Sequence, residues 1–164
     1  MSDNPASWAS SPGVARSMRS NKRRDTGPEK AIRSLLHSAG YRYRVDHAPD
    51  PGNRRRRADI VFTRIKLAVF VDGCFWHGCP VHATIPVRNR SYWQPKLERN
   101  RERDIETTEA LQDLGWTVVR IWEHVSTDEA LALITTEVRR LRSLSPTSPF
   151  DDDGLRATES RTDV

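Results

Sequence analysis

The 164-residue sequence lacks the two features that mark membrane-spanning and exported proteins. Its apolar runs fall far short of the roughly 20 residues that a membrane-spanning helix needs. Its first residues, MSDNPASWASSPG, contain neither the basic segment nor the apolar core of a secretory signal. The sequence therefore predicts a cytoplasmic protein with no membrane partner.

Cysteine is also scarce. The only two cysteines, Cys74 and Cys79, lie close together in the chain. In a reducing cytoplasm, two thiols at this short spacing favour a metal site or a pair of free thiols over a disulfide.

Positive charge is what the sequence has in excess. The formal net charge is +5 and the isoelectric point is about 9.7. Two basic clusters stand out, RSMRSNKRR at 16–24 and RRRR at 54–57. Such clusters suit a polyanion, because each phosphate contact releases counterions. A basic surface without any nucleic-acid role is the alternative.

The hydrophobic pattern predicts one folded domain between two disordered tails, 1–15 and 143–164, which are rich in small and polar residues. Between them we predict helices at 27–40, 95–115 and 126–141, and strands at 41–45, 58–63, 66–71 and 116–122. The second and third strands are expected to form a hairpin. This order predicts an α/β fold with a mixed central sheet flanked by helices.

The densest group of reactive side chains lies in VDGCFWHGCPVH, residues 71–82. Five potential zinc ligands occur there or just beyond the last strand: Cys74, His77, Cys79, His82 and His124. A structural zinc takes four ligands, so one is surplus, and both cysteines are ligands if zinc binds. The spacing does not decide which two histidines complete the site. The alternative is a pair of buried free thiols with surface histidines.

Two acids belong to the predicted hairpin. Asp59 lies early in ADIVFT, and Asp72 follows KLAVFV. Paired carboxylates at such a rim bind Mg²⁺, which activates water and neutralises the charge of a phosphodiester. His77, five residues after Asp72, could serve as the base. The alternative is that each aspartate only caps a turn.

Large aromatic residues accompany these groups. Phe75, Trp76 and Trp93 are expected in irregular segments near arginines. Aromatic rings in such places stack on bases or wedge between base pairs. The alternative is that they cover the zinc loop as a small satellite core.

Several segments together resemble one family of nucleases. ADIVF, VFVDGCFWHGCPVH, SYWQPKLERNRERD and LGWTVVRIWEH are similar, in order and spacing, to the Vsr very-short-patch-repair endonucleases, which cut DNA at T:G mismatches. RSMRSNKRRDTGPEK is similar to the N-terminal stretch of that family. The resemblance covers residues 15–142.

The resemblance implies a restriction-endonuclease-like fold over residues 16–142, with a structural zinc and a catalytic Mg²⁺. The implied reaction is a nick on the 5′ side of the mismatched thymine in double-stranded DNA. A monomer would make this nick, and mismatch-repair proteins, a DNA polymerase and a ligase would complete the repair. Such an enzyme is expected to be nucleoid-associated.

Individual residues also receive roles from the resemblance. Asp59 matches a metal-binding aspartate, and Val71 matches a position whose backbone carbonyl reaches the Mg²⁺. His77 matches the catalytic histidine. Glu29 and Asp104 match acids that support the active site, although either could be an ordinary solvated helix residue.

Two groups of DNA contacts are implied. Phe75, Trp76 and Trp93 match aromatic residues that wedge into DNA beside the mismatch. Residues 16–27 match a basic arm that clamps the duplex, with contacts expected from Arg16, Met18, Arg19, Lys22, Arg23 and Arg24.

With His77 assigned to catalysis by the resemblance, the implied zinc ligands are Cys74, Cys79, His82 and His124. The family often has cysteine where His124 stands, an exchange that zinc accepts.

Two departures from related nucleases concern catalysis. The acid-x-lysine that usually follows the first aspartate is replaced by DGC, so His77 would take the role of the lysine. Asp72 stands where the best-known relatives carry histidine, and it could bind the metal directly. A sequence-specific nicking or restriction endonuclease and a non-catalytic zinc-dependent DNA-binding module remain as alternatives, and the presence of Asp59 and His77 argues against the second.

Overall fold

A computed structural model describes residues 24–82 and 89–144. This part of the chain contains α1 (Gly27–Ser38), β1 (Arg44–His47), β2 (Ala58–Phe62), β3 (Leu67–Asp72), α2 (Cys74–His77), α3 (Arg90–Asp113), β4 (Thr117–Trp122) and α4 (Thr127–Leu144). The predicted order of elements is confirmed, with the short helix α2 as an addition. Helix α4 continues to Leu144, two residues into the segment predicted as a tail. The rest of both tails lies outside the described residues.

The four strands form one mixed sheet in the order β1-β2-β3-β4. Strands β2 and β3 form the predicted antiparallel hairpin, and β1 pairs antiparallel with β2. Strand β4 pairs parallel with β3, so that Val71 lies opposite Ile121 and Asp72 opposite Trp122. A parallel neighbour needs a long crossover, and α3 supplies it.

Helices cover both faces of this sheet. Helices α1 and α4 pack on one face through a core formed by Ile32, Leu36, Ile60, Phe62, Leu67, Val69, Ile121, Ala130, Ile134 and Val138. The other face carries a smaller core of Ala58, Val61, Ala68, Phe70 and Leu111, to which α3 contributes Leu111. Among the described residues, none of the helices is long and apolar enough to cross a bilayer.

Capping boxes begin the two helices of the larger core. Ser126 and Glu129 form one box, since the Ser126 hydroxyl accepts from the Glu129 amide and Glu129 accepts from the Ser126 amide. Thr26 and Glu29 form a second box at α1: the Glu29 amide donates to the Thr26 hydroxyl, and Glu29 accepts from the Asp25 amide. Both boxes satisfy amide groups that a helix start leaves unpaired.

One edge of the sheet collects the predicted site residues. Because the hairpin is antiparallel, β1 ends and β2 begins where β3 and β4 end, and His47 pairs with Ala58 there. We call this the site edge. Asp59 and Asp72 lie at it, α2 follows directly from β3, and His124 follows β4.

Candidate active site and metal site

The first feature at the site edge is the half-buried carboxylate of Asp59. Its Oδ2 accepts a hydrogen bond of 2.7 Å from the backbone amide of Val71 across the hairpin. Burial raises the pKa of Asp59 to about 6. The hydrogen bond from Val71 opposes this shift, and the negative charges of Glu29 and Asp72 add to it. Asp59 is therefore a carboxylate that a nearby positive charge would stabilise.

A network of four charged side chains lies beside it. Arg120 on β4 donates two hydrogen bonds to Asp72, from Nε to Oδ2 at 2.6 Å and from Nη2 to Oδ1 at 2.8 Å. The same guanidinium lies 2.9 Å from Oδ1 of Asp104 on α3. The other oxygen of Asp104 lies 2.6 Å from Nδ1 of His77. The network thus links β3, β4, α3 and α2.

The network fixes the state of the His77 ring. A carboxylate only accepts hydrogen bonds, so Nδ1 carries the proton and Nε2 is the nitrogen left for other partners. Burial disfavours the protonated ring, but the hydrogen bond to Asp104 and the charge of Asp72 outweigh it and raise the pKa of His77. The side chain of His77 remains 31% exposed. This histidine can therefore exchange a proton with a molecule bound at the site edge.

Helix α3 shapes the site through its inward side. Trp93, Leu97 and Leu111 of this helix are buried. Between Leu97 and Leu111, the side chains that turn inward are polar: Asn100, Asp104 and Thr108. Thr108 accepts from Arg120 at 3.4 Å. The predicted amphipathic helix thus has an inward stripe that is apolar at its ends and polar where the site lies.

Four side chains form a compact Cys/His cluster next to α2. One potential ligand atom from each of Cys74, Cys79, His82 and His124 lies within 4.8 Å of the others. Nδ1 of His124 is 3.1 Å from Sγ of Cys74 and 3.6 Å from Sγ of Cys79, and Nδ1 of His82 is 3.9 Å from Sγ of Cys79. A tetrahedral zinc places sulfur and nitrogen ligands about 3.6 Å apart. The donor types and their spacing therefore fit zinc.

Two hydrogen bonds tie the loop of the Cys/His cluster to the rest of the molecule. The Cys74 amide, at the start of α2, donates to Glu123 Oε1 at 2.7 Å. Asn100 Nδ2 on α3 donates to the Trp76 carbonyl at 3.1 Å. Gly78 ends α2 with a φ of +69°, a left-handed conformation that glycine adopts without strain.

The aromatic residues form a cluster around Trp93. The ring centroid of Trp93 lies 5.4 Å from that of Phe75 and 5.8 Å from that of Trp76. Trp93 is only 3% exposed, whereas Phe75 and Trp76 are partly exposed. Lys96 places its ammonium group 5.5 Å from the Trp76 ring. Phe75 and Trp76 therefore face outward on a buried tryptophan.

Comparison with known proteins identifies the family. Residues 14–82 match the family model described as DNA mismatch endonuclease Vsr. The type II nicking enzyme V.NaeI of Lentzea aerocolonigenes is 45% identical over 140 residues, which cover 85% of this chain and 84% of the relative. The type II nicking enzyme V.XorIIP of Xanthomonas oryzae pv. oryzae is 44% identical over 108 residues, covering 65% and 76%. The DNA mismatch endonuclease Vsr of Escherichia coli K12 is 36% identical over 124 residues, covering 71% and 77%.

The chain belongs to the Vsr family. It is a DNA endonuclease with the restriction-endonuclease-like fold of that family, which confirms the resemblance, the fold class and the enzyme class predicted from the sequence. The non-catalytic DNA-binding alternative is thereby set aside.

The Vsr-family site brings together most of the residues singled out from the sequence. Asp59, Val71 and Asp72 meet at the site edge, and Asp104 contacts His77. The four predicted zinc ligands form the Cys/His cluster, with His77 outside it. The predicted arm residues Arg16, Met18, Arg19, Lys22 and Arg23 lie outside the described residues.

Glu29 of the predicted site and Arg24 of the predicted arm each form a hydrogen bond within the chain. The carboxylate of Glu29 is buried in the α1 capping box, so it is not a solvated helix residue. Arg24 is exposed and hydrogen-bonds to Asp46 at 2.8 Å. It is the one predicted arm contact whose position is described.

Four predicted residues lie differently from expectation. Asp72 is not an open carboxylate, because Arg120 binds both of its oxygens. None of the three aromatic residues lies in an irregular segment: Phe75 and Trp76 belong to α2, and Trp93 belongs to α3, where its ring is buried by its neighbours. The Trp93 ring packs against Phe75 and Trp76. This arrangement is the small satellite core that was the alternative to insertion into DNA.

Arg120 and Glu123 are the site residues that sequence reasoning missed. Arg120 lies within the strand WTVVRIW, where alternation alone makes it a surface residue. Glu123 follows the same strand and accepts a hydrogen bond from the Cys74 amide at the start of α2. Both contacts depend on the parallel pairing of β3 and β4, which brings Asp72 level with Trp122 and which residue spacing does not supply.

Replacing Gly78 by alanine should lower stability. The added Cβ would meet the guanidinium of Arg101, and the positive φ adds strain of about 1–2 kcal/mol. We expect the free energy of unfolding to fall by at least that amount, as measured by thermal unfolding. Gly27→Ala is the matched control, since a Cβ at Gly27 meets no atom within 4 Å. Equal stabilities of the two variants would contradict this account of Gly78.

Proposed function

We propose that this endonuclease nicks one strand of double-stranded DNA on the 5′ side of the thymine in a T:G mismatch, with Mg²⁺ as its catalytic ion. The observation that carries the catalytic part is the placement of the Asp59 carboxylate, held by the Val71 amide, at the same sheet edge as His77, which Asp104 orients. The mismatch preference draws its support from the relative in E. coli, which is named a DNA mismatch endonuclease.

Asp59 and the backbone carbonyl of Val71 are the proposed Mg²⁺ ligands. Within the described residues 24–82 and 89–144, no cationic side chain pairs with the half-buried Asp59, which suits a carboxylate that acquires a cation on binding. Mg²⁺ is commonly held by one or two carboxylates together with substrate phosphates. When bound, the ion would supply charge neutralisation at the scissile phosphate and activation of water. Asp72 is the weaker candidate for this role, because Arg120 would have to release it.

His77 is the proposed proton-transfer group. Asp104 holds the proton on Nδ1, which leaves Nε2 to take a proton from water or give one to the leaving oxygen. The guanidinium of Arg120 holds Asp104 from the other side. This arrangement supplies proton transfer without the lysine that related nucleases use.

Zinc is proposed as the structural ion of the Cys/His cluster, with Cys74, Cys79, His82 and His124 as ligands. In the metal-free protein, the pKa of Cys74 is raised to about 11. Burial is the main cause, and the neighbouring Cys79 thiol adds to the shift. Zinc binds thiolates, so loading is expected to release protons. Bound zinc would hold α2 in place, and with it the relative positions of His77 and Trp76.

Phe75 and Trp76 are the proposed wedge residues, because they are the partly exposed members of the aromatic cluster. Trp93 then serves as their support. The basic arm, residues 16–27, is proposed to clamp the duplex. A monomer acting at the mismatch, followed by mismatch-repair proteins and a DNA polymerase, completes the proposed pathway.

A second candidate function is sequence-specific nicking without mismatch preference. Its support is that relatives named type II nicking enzymes share 45% and 44% identity with this chain, against 36% for the mismatch endonuclease. The chemistry at Asp59 and His77 would be the same, and only the recognised DNA would differ.

One experiment separates the two candidates. Zinc-loaded protein is offered pools of duplexes with randomised flanking base pairs that carry T:G, T:A, C:G or another mismatch, with and without Mg²⁺. We expect Mg²⁺-dependent nicking of the thymine strand in the T:G pool, and no product from an Asp59→Asn variant. Equal nicking of matched pools would support the second candidate. Product without added divalent ion would overturn the proposed mechanism.

A further inference from the structure

The loop between β1 and β2 carries a basic cluster that the proposed site does not use. This loop, residues 48–57, leaves β1 and enters β2 at the site edge, since His47 pairs with Ala58. It contains the four arginines of RRRR at 54–57 and ends two residues before Asp59. The cluster therefore lies next to the carboxylate proposed to hold Mg²⁺.

Hydrogen bonds hold this loop in successive turns. The Gly52 amide donates to Asp50 Oδ1 at 2.8 Å, and the Arg55 amide donates to Asn53 Oδ1 at 3.1 Å. The Arg56 amide donates to the Asn53 carbonyl at 3.1 Å. Aspartate and asparagine at turn positions fix the backbone in this way. The arginines are thus presented from an ordered backbone, which lowers the entropic cost of binding a partner.

The four arginines divide into two inner and two outer residues. Arg56 lies 3.5 Å from Asp50, and Arg57 hydrogen-bonds to Asp46 Oδ1 at 2.8 Å and to the Asp46 carbonyl. The negative charges of Asp50 and Asp46 are therefore already paired with Arg56 and Arg57.

Arg54 and Arg55 are the outer residues. Both are exposed, and in the described ranges 24–82 and 89–144 neither forms an ion pair. Two uncompensated guanidinium groups therefore project from the loop beside the site edge.

We propose that Arg54 and Arg55 bind backbone phosphates of the DNA that flanks the cleavage position. Guanidinium groups match phosphate oxygens with two parallel hydrogen bonds, and such contacts position a duplex without reading its sequence. The placement beside the cleavage position rests on the proposed role of Asp59, whereas the phosphate contact itself rests on the charge and order of the loop.

The reach of the loop limits which phosphates can be bound. Asp59 is five positions after Arg54, so their Cα atoms are at most about 18 Å apart. An arginine side chain adds about 7 Å, and the total is shorter than the roughly 34 Å of one helical turn of DNA. The contacted phosphates therefore lie within one turn of the nick.

The test is the salt dependence of DNA binding. Affinity for a labelled T:G duplex and for its matched duplex is measured without Mg²⁺ at several salt concentrations, for wild type and for the double variant Arg54→Ala/Arg55→Ala. Each lost phosphate contact should reduce the slope of log affinity against log salt by about 0.9. We expect a reduction of about 1–2 and a binding loss of about tenfold or more, equal for both duplexes.

Two further variants control for charge and for folding. Arg54→Lys/Arg55→Lys keeps both charges and should keep most of the slope. Arg139→Ala/Arg140→Ala removes the same charge from the far end of α4, near Arg142, whose guanidinium lies over Tyr41 away from the site edge. This control should bind with the wild-type slope, and all variants should melt like wild type.

Three outcomes would overturn the proposal. They are a wild-type slope in the alanine variant, an equal slope change in the α4 control, and a loss confined to one of the two duplexes. Because binding is measured without Mg²⁺, these outcomes are independent of whether the wild-type protein nicks at T:G. Failure of the proposed function would leave the salt slopes intact.

Discussion

Replacing Asp59 by asparagine should abolish nicking and at the same time stabilise the protein at neutral pH. Loss of the carboxylate proposed to bind Mg²⁺ removes several kcal/mol of transition-state stabilisation, so the nicking rate should fall roughly a thousandfold or more. Asparagine keeps an oxygen that can accept the hydrogen bond from Val71. It also removes a charge whose burial the folded protein resists.

The pH dependence of this gain has a definite sign. The pKa of Asp59 is raised from 3.8 to about 6, so the unfolded chain ionises first. Ionisation of Asp59 therefore lowers the free energy of unfolding of the wild type, relative to that of Asp59→Asn, as the pH rises from about 4 to about 6. The variant should match the wild type at pH 4 and be more stable by about 1–3 kcal/mol above pH 6. Unfolding of zinc-loaded, Mg²⁺-free protein across this range measures the difference.

Asp104→Asn is the matched control, because its effect on stability has the opposite sign. Burial opposes ionisation of Asp104, but the His77 hydrogen bond and the charge of Arg120 outweigh it and lower the pKa of this carboxyl. Its charge is therefore stabilising, and its loss should destabilise the protein at neutral pH. A destabilised Asp59→Asn, or a gain that does not change between pH 4 and pH 7, would refute our account of this site.

Replacing Cys79 by alanine should remove the zinc. The side chain is 1% exposed and its Sγ contacts both histidines of the cluster, so no solvent ligand has room to replace it without rearrangement. Structural zinc in small sites contributes about 10–16 kcal/mol of apparent binding free energy. We expect the zinc content to fall from one ion per chain to a trace, with a large drop in unfolding temperature. Metal analysis after dialysis and thermal unfolding measure both.

His77→Ala is the informative control for the ligand set. His77 lies in the same loop but outside the Cys/His cluster, so this variant should keep one zinc while losing nicking activity. His82→Ala and His124→Ala should lose zinc as Cys79→Ala does. Full zinc retention in Cys79→Ala, or zinc loss in His77→Ala, would contradict the assignment.

Much of the fold was predictable because its signals are local. The face of α1, the capping box at Ser126 and the hairpin of β2 and β3 each depend on residues close together in the chain. Helix α2 was not predicted, because a helix of four residues has no periodicity to detect. Helix α3 begins at Arg90 rather than at Pro95, which lies inside the helix, whereas a sequence-based start is placed at proline because proline is usual in the first turn.

Much of the site depends on pairing between distant segments. The grouping of Cys74, Cys79 and His82 follows from a single loop, whereas the contact of Arg120 with Asp72 needs the register of β3 against β4. The burial of Trp93 likewise depends on how α3 docks on α2. Composition and spacing supply residue types, but they do not supply these distances.

The Cys/His cluster also has a consequence for how the chain folds. Three of its ligands lie in and just after α2, and the fourth, His124, arrives only when β4 has paired with β3 through the α3 crossover. An ion held by all four binds the docked sheet more tightly than a chain with β4 detached. Thermodynamic linkage makes the converse equal in size, so a substitution that loosens β4 weakens metal affinity by the same free energy. Metal affinity therefore reports how stably β4 is docked on β3. Loss of this docking also frees the loop that carries His77.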